Sequence, residues 1–183
     1  MNIETLASAW KGHRSFAQWL VHELQPRVTV DLGVDTGYST FCWAEHNPGH
    51  VYGIDSFEGD AHAGFRNTRD QVTHDQQQLG LTNITWIQGW FDAVAKSWTL
   101  PIDILHIDGL HTYSAVSEDY ANWHGHVRDS GVILFHDTQA FPEIGQFFQE
   151  LPGFKHEFLH SAGLGIVVKN PQIYHMIVDF KSI

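Results

Sequence analysis

The segment VTVDLGVDTGYS, residues 28–39, constrains this chain more than any other, because it joins a buried-strand pattern to a glycine-bounded acidic turn and then to a helix. Val28, Val30 and Leu32 have the β-branched and apolar character of a central parallel strand covered on both faces. Asp31 lies near the carboxyl end of that strand. Open α/β sheets bind ligands outside those ends, so the turn Gly33-Val34-Asp35-Thr36-Gly37 is placed where a bound molecule can lie against its backbone. Gly33 and Gly37, lacking Cβ, permit that approach. Three residues separate the two glycines, whereas the dinucleotide fingerprint has one and the phosphate loop ends in Gly-Lys-Ser/Thr, so neither pattern is present. The alternative reading of the same residues is an ordinary strand-to-helix turn.

A second carboxylate supports a nucleoside cradle. HVYGID, residues 50–55, is another short apolar strand ending in an acid, about twenty residues after the glycine turn, where a Rossmann-type sheet places its ribose acceptor. Asp55 is therefore the ribose candidate, against the alternative that it caps the next turn. Strand and helix patterns then alternate with short connections, which is the signature of a doubly wound α/β sheet. Phe16, Trp19, Leu20 and Leu24 mark a helix within a helical segment 1–26 that Pro26 helps to end. Further strands are expected at 84–88, 102–108 and 132–136. Between the last two, Val116, Tyr120, Trp123 and Val127 recur at helical spacing, with Ser117, Glu118 and Asp119 facing away from the core. A helix over 141–151 and a hairpin from 154–159 and 163–169 complete the pattern. The long irregular stretch 56–69 is polar, contains glycine, and is the expected acceptor-side loop.

Seven Trp and twelve Phe among 183 residues can bury one substantial core, so a single domain over 1–183 is expected. A formal charge of −11 without any basic run argues against a nucleic-acid or anionic membrane partner. Cys42 is the single cysteine, which excludes an internal disulfide framework and fits a reducing compartment. No signal-peptide pattern or membrane-length apolar run is visible, and a soluble cytoplasmic protein is expected.

The form DxGxxxGxS, from Asp31 through Ser39, resembles motif I of the class I methyltransferases that use S-adenosylmethionine. IDSFEGDAHAGF, from Ile54 onward, is similar to the Asp-x-(Trp/Phe)-x-Gly-Asp-x-His-Ala-Gly-Phe run of the type 24 methyltransferase family. IDILHIDGLHTY, GVILFHDT and GLGIVVK resemble later family blocks in the same order, so the likeness spans residues 13–169. It implies a Rossmann-like sheet of seven strands in the order 3-2-1-4-5-7-6, with strand 7 antiparallel and helices on both faces. It also implies a cofactor set of Asp31, Gly33, Gly37, Ser39, Asp55, Ser56, Gly89 and Trp90, in which Trp90 either stacks on the adenine or packs in the core.

The same resemblance implies chemistry at the ends of the fourth and fifth strands. In related metal-dependent O-methyltransferases, acids matching Asp108 and Asp137 bind magnesium, and His111 matches the base of the macrolide-sugar enzymes. Those enzymes carry a second acid where this chain has His136, a change that moves metal preference from Mg²⁺ towards Mn²⁺ and softer ions. Asp108, His136 and Asp137 are the expected metal ligands and His111 the general base. Adjacent side chains on a regular strand point to opposite faces, so His136 and Asp137 can both ligate only where the strand has ended. His111 could instead cap the helix beginning near Thr112, and Tyr113 could shape the acceptor pocket or pack on that helix. The implied activity is O-methylation of a small hydroxylated acceptor such as a sugar or secondary metabolite, by a protein that could form a homodimer through aromatic residues of 173–180. The alternatives are a metal-dependent hydroxylase-like enzyme using Asp108, His111 and His136, and a non-catalytic S-adenosylmethionine-binding module. A nicotinamide oxidoreductase is disfavoured by the glycine spacing.

Overall fold

Five parallel strands carry the centre of the molecule: β1 (Val28–Leu32), β2 (His50–Asp55), β3 (Ile84–Gln88), β4 (Ile102–Ile107) and β5 (Val127–His136). The computed structural model describes residues 1–60 and 64–181, so Ala61, His62 and Ala63 of the 56–69 loop lie outside the described residues. The hairpin of β6 (Phe154–Phe158) and β7 (Leu164–Val168) closes one edge, with β7 antiparallel to both β5 and β6. The strand order is 3-2-1-4-5-7-6, as the sequence resemblance implied.

Two apolar layers sandwich this sheet. On one face Phe16, Leu20, Phe41, Trp43 and Val72 are buried, supplied by α1 (Arg14–Leu24), α2 (Tyr38–Ala44) and α3 (Arg69–Leu79). The other face buries Val116, Trp123, Ile144, Phe147 and Phe148 from α5 (Tyr113–Trp123) and α6 (Pro142–Glu150), with the short α4 (Phe91–Ala95) beside them. Strands covered on both faces must be apolar throughout, which is why Ile102, Ile104, Leu105, Val132, Leu134 and Phe135 have no exposed surface. The final helix, α7 (Pro171–Val178), packs on β6 and β7, and Phe180 beyond it meets Phe16, Trp19 and Phe158. The aromatic residues of 173–180 therefore cover the sheet of their own chain.

Two boundaries differ from the sequence reading. Val127 does not extend α5, because a short 3₁₀ turn at His124–His126 intervenes and Val127 begins β5, pairing with Ile102. The register slips between Ile102 and Ile104, which lengthens β5 to ten residues where the apolar run 132–136 alone was expected. Among the described residues no helix is long and apolar enough to cross a membrane.

Candidate functional site

The carboxyl ends of β1, β2, β4 and β5 open into one cavity of about 670 Å³. Gly33 and Gly37 bound the turn after β1 with φ of 94° and 87°, a left-handed backbone that glycine adopts without strain. Gly33 is also fixed by packing, since a Cβ there would stand 1.8 Å from the Asp108 carbonyl oxygen, and one at Gly37 would strike the Phe41 ring at 2.8 Å. The Gly33 requirement comes from the approach of the β1 and β4 ends to each other. Gly33, Ser39, Asp55, Ser56, Gly89 and Trp90 line the cavity, whereas Gly37 and Asp31 do not.

Asp31 lies beneath the cavity with no exposed surface. Its Oδ2 accepts hydrogen bonds from Ser39 Oγ at 2.8 Å and Thr40 Oγ1 at 2.5 Å. Its Oδ1 lies 2.6 Å from His106 Nδ1, whose Nε2 accepts from Trp10 Nε1 at 3.1 Å. Because Trp10 can only donate, His106 Nε2 must be the acceptor and Nδ1 the protonated nitrogen that donates to Asp31. The acid at the end of β1 thus ties the N-terminal segment, β4 and α2 together.

Asp55 performs the corresponding task in the glycine turn while also facing the cavity. Its Oδ2 accepts from Val34 N at 2.7 Å and Asp35 N at 3.1 Å, and its Oδ1 accepts from Phe57 N at 2.7 Å. Both sequence readings of Asp55 are compatible with this position, because a carboxylate offers about four lone-pair sites and three are used. Trp90 is 67% exposed on the cavity wall and is not a core residue.

At the far end Asp108, His111 and Asp137 form a compact group whose ligating atoms all lie within 4.8 Å of one another. His111 Nε2 stands 2.6 Å from Asp137 Oδ2 and 3.6 Å from Asp108 Oδ1. Its ring stacks on Phe141 at 4.2 Å with an 8° interplanar angle. Thr112 itself caps α5 by accepting from Ala115 N, so His111 is not the cap. Tyr113 turns away, its hydroxyl donating to Glu150 and its backbone N–H to Glu143.

His136 contributes from below, with Nδ1 3.3 Å from both Asp108 Oδ2 and Asp137 Oδ1 and Nε2 3.1 Å from the Ser161 carbonyl. It therefore stands beside both expected carboxylate ligands, while the group whose ligating atoms all lie within 4.8 Å of one another is Asp108, His111 and Asp137. Adjacent residues reach one cluster because the strand ends at His136 and Asp137 adopts φ 64°. The cluster as a whole holds two imidazoles and two carboxylates.

Electrostatics lock this cluster. Burial lowers the affinity of His111 for its proton, but hydrogen bonds to Asp108 and Asp137 outweigh it and lift its pKa to about 9. Burial acts likewise on His136, and the charge of Asp108 together with bonds to both acids raises it to about 10. Asp108 and Asp137, which burial alone would push up, are instead held below the usual carboxylate range by the two imidazoles. Near neutral pH the cluster therefore holds two imidazolium and two carboxylate groups.

Two wall elements were missed at the sequence level. Ala7, Ser8, Ala9 and Trp10 close one side of the cavity, and Asp119 closes another from α5. The available signal for Asp119 was its position four residues after Ala115, which lines the same wall, as expected for one helical face.

A model of a methyltransferase domain family, type 24, matches residues 30–138, which include the glycine turn, Asp55, Asp108 and Asp137. The chain belongs to this methyltransferase family. The protein y4gI of Sinorhizobium fredii is 31% identical over 182 residues, covering 91% of this chain. The chain spans only 20% of that relative's length. Among solved structures, the O-methyltransferase TomG of Streptomyces achromogenes, in complex with S-adenosylmethionine, superposes with a TM-score of 0.69 at 13% identity, covering 87% of this chain and 80% of TomG. PaMTH1 of Podospora anserina, bound to S-adenosylhomocysteine, gives 0.63 at 12% identity, covering 89% of this chain and 88% of its own. At such identities the likeness is one of fold: the class I methyltransferase sheet.

Proposed function

We propose that this protein transfers the methyl group of S-adenosylmethionine to a hydroxyl oxygen of a small acceptor such as a sugar or secondary metabolite, assisted by a divalent cation such as Mg²⁺ or Mn²⁺. The observation that carries the reading is the Asp108–His111–Asp137 cluster at one end of a cavity whose wall is the glycine turn and Asp55. A mere binding module has no physical need for a partly buried quartet of opposed charges.

The cavity fits the cofactor chemically. Asp55 offers its carboxylate to the ribose, Trp90 and Phe91 offer flat apolar faces to the base, and Ser8 and Ser39 offer hydroxyls to the amino-acid portion. Bound S-adenosylmethionine supplies an electrophilic methyl that an oxygen nucleophile takes by in-line displacement. Asp108 and Asp137, two carboxylates kept ionised, are hard oxygen ligands that would hold a divalent cation, with His111 beside them in the role of base. Such a cation would lower the pKa of an acceptor hydroxyl and orient it. His111, once neutral, takes the acceptor proton at Nε2, and the Phe141 stack fixes the plane of its ring. Holding acceptor and donor in register contributes up to about 7–11 kcal/mol in ideal intramolecular cases.

The test is release of S-adenosylhomocysteine from S-adenosylmethionine across a panel of phenyl glycosides and catechols, with Mn²⁺ and with chelator. Turnover on at least one acceptor is expected, falling by about 10²-fold or more in His111→Ala, the usual contribution of a general base. Turnover that survives His111→Ala unchanged would remove His111 from the mechanism, and tight cofactor binding with no transfer to any acceptor would favour the binding-module alternative.

A further inference from the structure

One edge of the sheet carries a sequence complementary to itself. β6, Phe-Lys-His-Glu-Phe, is the last strand of the order 3-2-1-4-5-7-6 and pairs on one side only, with β7. Among the described residues no other backbone hydrogen bond reaches Phe154–Phe158, which leaves the outer N–H and C=O groups of this strand without a backbone partner. Such a row is a template for a further strand. Side chains alternate between the two faces along it. Phe154 and Phe158 lie on the side of α7 and α1, with Tyr174 at 5.3 Å from the first and Phe16 at 4.8 Å from the second. Lys155 and Glu157 lie on the side of α6, where Lys155 meets the Gln149 carbonyl and the Phe148 ring, and Glu157 accepts from Gln139 Nε2 at 2.7 Å. Both are half-buried, and neither forms a salt bridge with a described residue.

A second copy set antiparallel to β6, about a twofold axis at His156 and perpendicular to the sheet, places each Lys155 opposite the other copy's Glu157. It also places each Phe154 opposite the other copy's Phe158, on the same face. Opposite charges and aromatic pairs at directly opposed positions both favour strand pairing. This register stands apart from its neighbours: an axis at Lys155 or at Glu157 would bring like charges face to face, and a slip of one residue would set side chains of opposite faces together. His156 meets its own counterpart, and because burial lowers its pKa the two imidazoles are neutral above pH 7 and do not repel.

We propose that β6 is a homodimer interface through which two copies of this chain join their sheets edge to edge, with Lys155 of each opposite Glu157 of the other. Five paired residues make a small interface, so the dimer is a weak one. A lysine on an edge strand also serves in monomers to block such pairing, and that reading predicts no association.

The experiment is sedimentation equilibrium near neutral pH at protein concentrations up to about 200 µM, which reaches dimers held by small interfaces. The wild type is expected to dimerise. Lys155→Glu and Glu157→Lys each replace two attractive pairs by two repulsive ones and should weaken the dimer by about tenfold or more. The double variant Lys155→Glu/Glu157→Lys should return to within about threefold of the wild type. An equimolar mixture of the two single variants should form a heterodimer, because their edges are again complementary; damage to the fold could produce neither recovery. Cross-linking with oxidised glutathione fixes the register. In His156→Cys the two Cα atoms would lie about 4.5–5.5 Å apart, within disulfide reach. Leu159→Cys, at a position 68% exposed, would hold its two Cα atoms about 20 Å apart and should not cross-link. A wild type that stays monomeric, a dimer indifferent to Lys155→Glu, a loss that neither the double variant nor the mixture recovers, or equal cross-linking at the two cysteines would each overturn the proposal.

Discussion

Asp137 adopts φ 64° without being a glycine, a conformation that costs about 1–2 kcal/mol and turns its carboxylate to the same side as His136. That strain is retained where it closes the charged quartet. In Asp137→Asn the pKa of His111 is expected to fall from about 9 back towards 6.5, as NMR titration of the imidazole carbons would show; an unchanged value would mean that Asp108 alone holds the proton. The sign for stability follows from the raised values. His111 and His136 bind protons more tightly folded than unfolded, so their contribution is complete below pH 6.5 and is lost as pH climbs through about 9 and about 10. In chelator the melting temperature should therefore decline across that window, and the decline should flatten in the double variant His111→Gln/His136→Gln. Gly33 sets a different limit: its φ is positive, and an alanine methyl there would sit 1.8 Å from the Asp108 carbonyl oxygen. Gly33→Ala should therefore be strongly destabilising, by about 3 kcal/mol or more in urea unfolding. The requirement for glycine at this turn was legible in the sequence. Its cause, the neighbouring strand end, was not, because that contact joins residues far apart in the chain.

The elements that position the site are coupled through one buried chain of hydrogen bonds, from Trp10 to His106 on β4, Asp31 on β1, and Ser39 and Thr40 on α2. Removing one member of such a network leaves its neighbours buried without partners, and Asp31→Ala is expected to cost about 3–5 kcal/mol of unfolding free energy. Sequence reasoning placed Asp31 with the cofactor, since strand-end acids and ligand acids share the same signature. Its companions Trp10 and His106 were invisible as partners because they are 96 residues apart. The order and direction of the strands were legible, because apolar runs, turn glycines and the ordered family blocks all point to one sheet. Helix phase was legible only in part: Ser117, Glu118 and Asp119 lie off the core stripe of α5, and polarity alone did not reveal that Glu118 and Asp119 face a cavity.

Over the whole molecule acidic residues outnumber basic ones, and the cavity holds a share of them. The described cavity lining includes Asp35, Asp55, Asp92, Asp108, Asp119 and Asp137 and no Lys or Arg. Arg66 pairs with Asp35, Lys96 with Asp92, and the two imidazolium groups face Asp108 and Asp137, so the negative charge that is left, at Asp55 above all, disfavours anionic acceptors. A catechol bearing an amine should therefore be methylated with a higher kcat/KM than one bearing a carboxylate, and the gap should narrow at high salt; equal values at low salt would count against this. Divalent cation binding to the folded state should raise the melting temperature by mass action and release protons from the imidazoles, both effects disappearing in Asp108→Asn. The central claim, that the cavity beside the glycine turn is a nucleoside cofactor site separable from the charged cluster, is tested most directly by calorimetric titration of S-adenosylhomocysteine into the wild type, Asp55→Ala and Asp108→Ala. The account predicts micromolar binding to the wild type, a loss of about tenfold or more in Asp55→Ala, and a change within about threefold in Asp108→Ala. No binding to the wild type, or equal losses in the two variants, would contradict it.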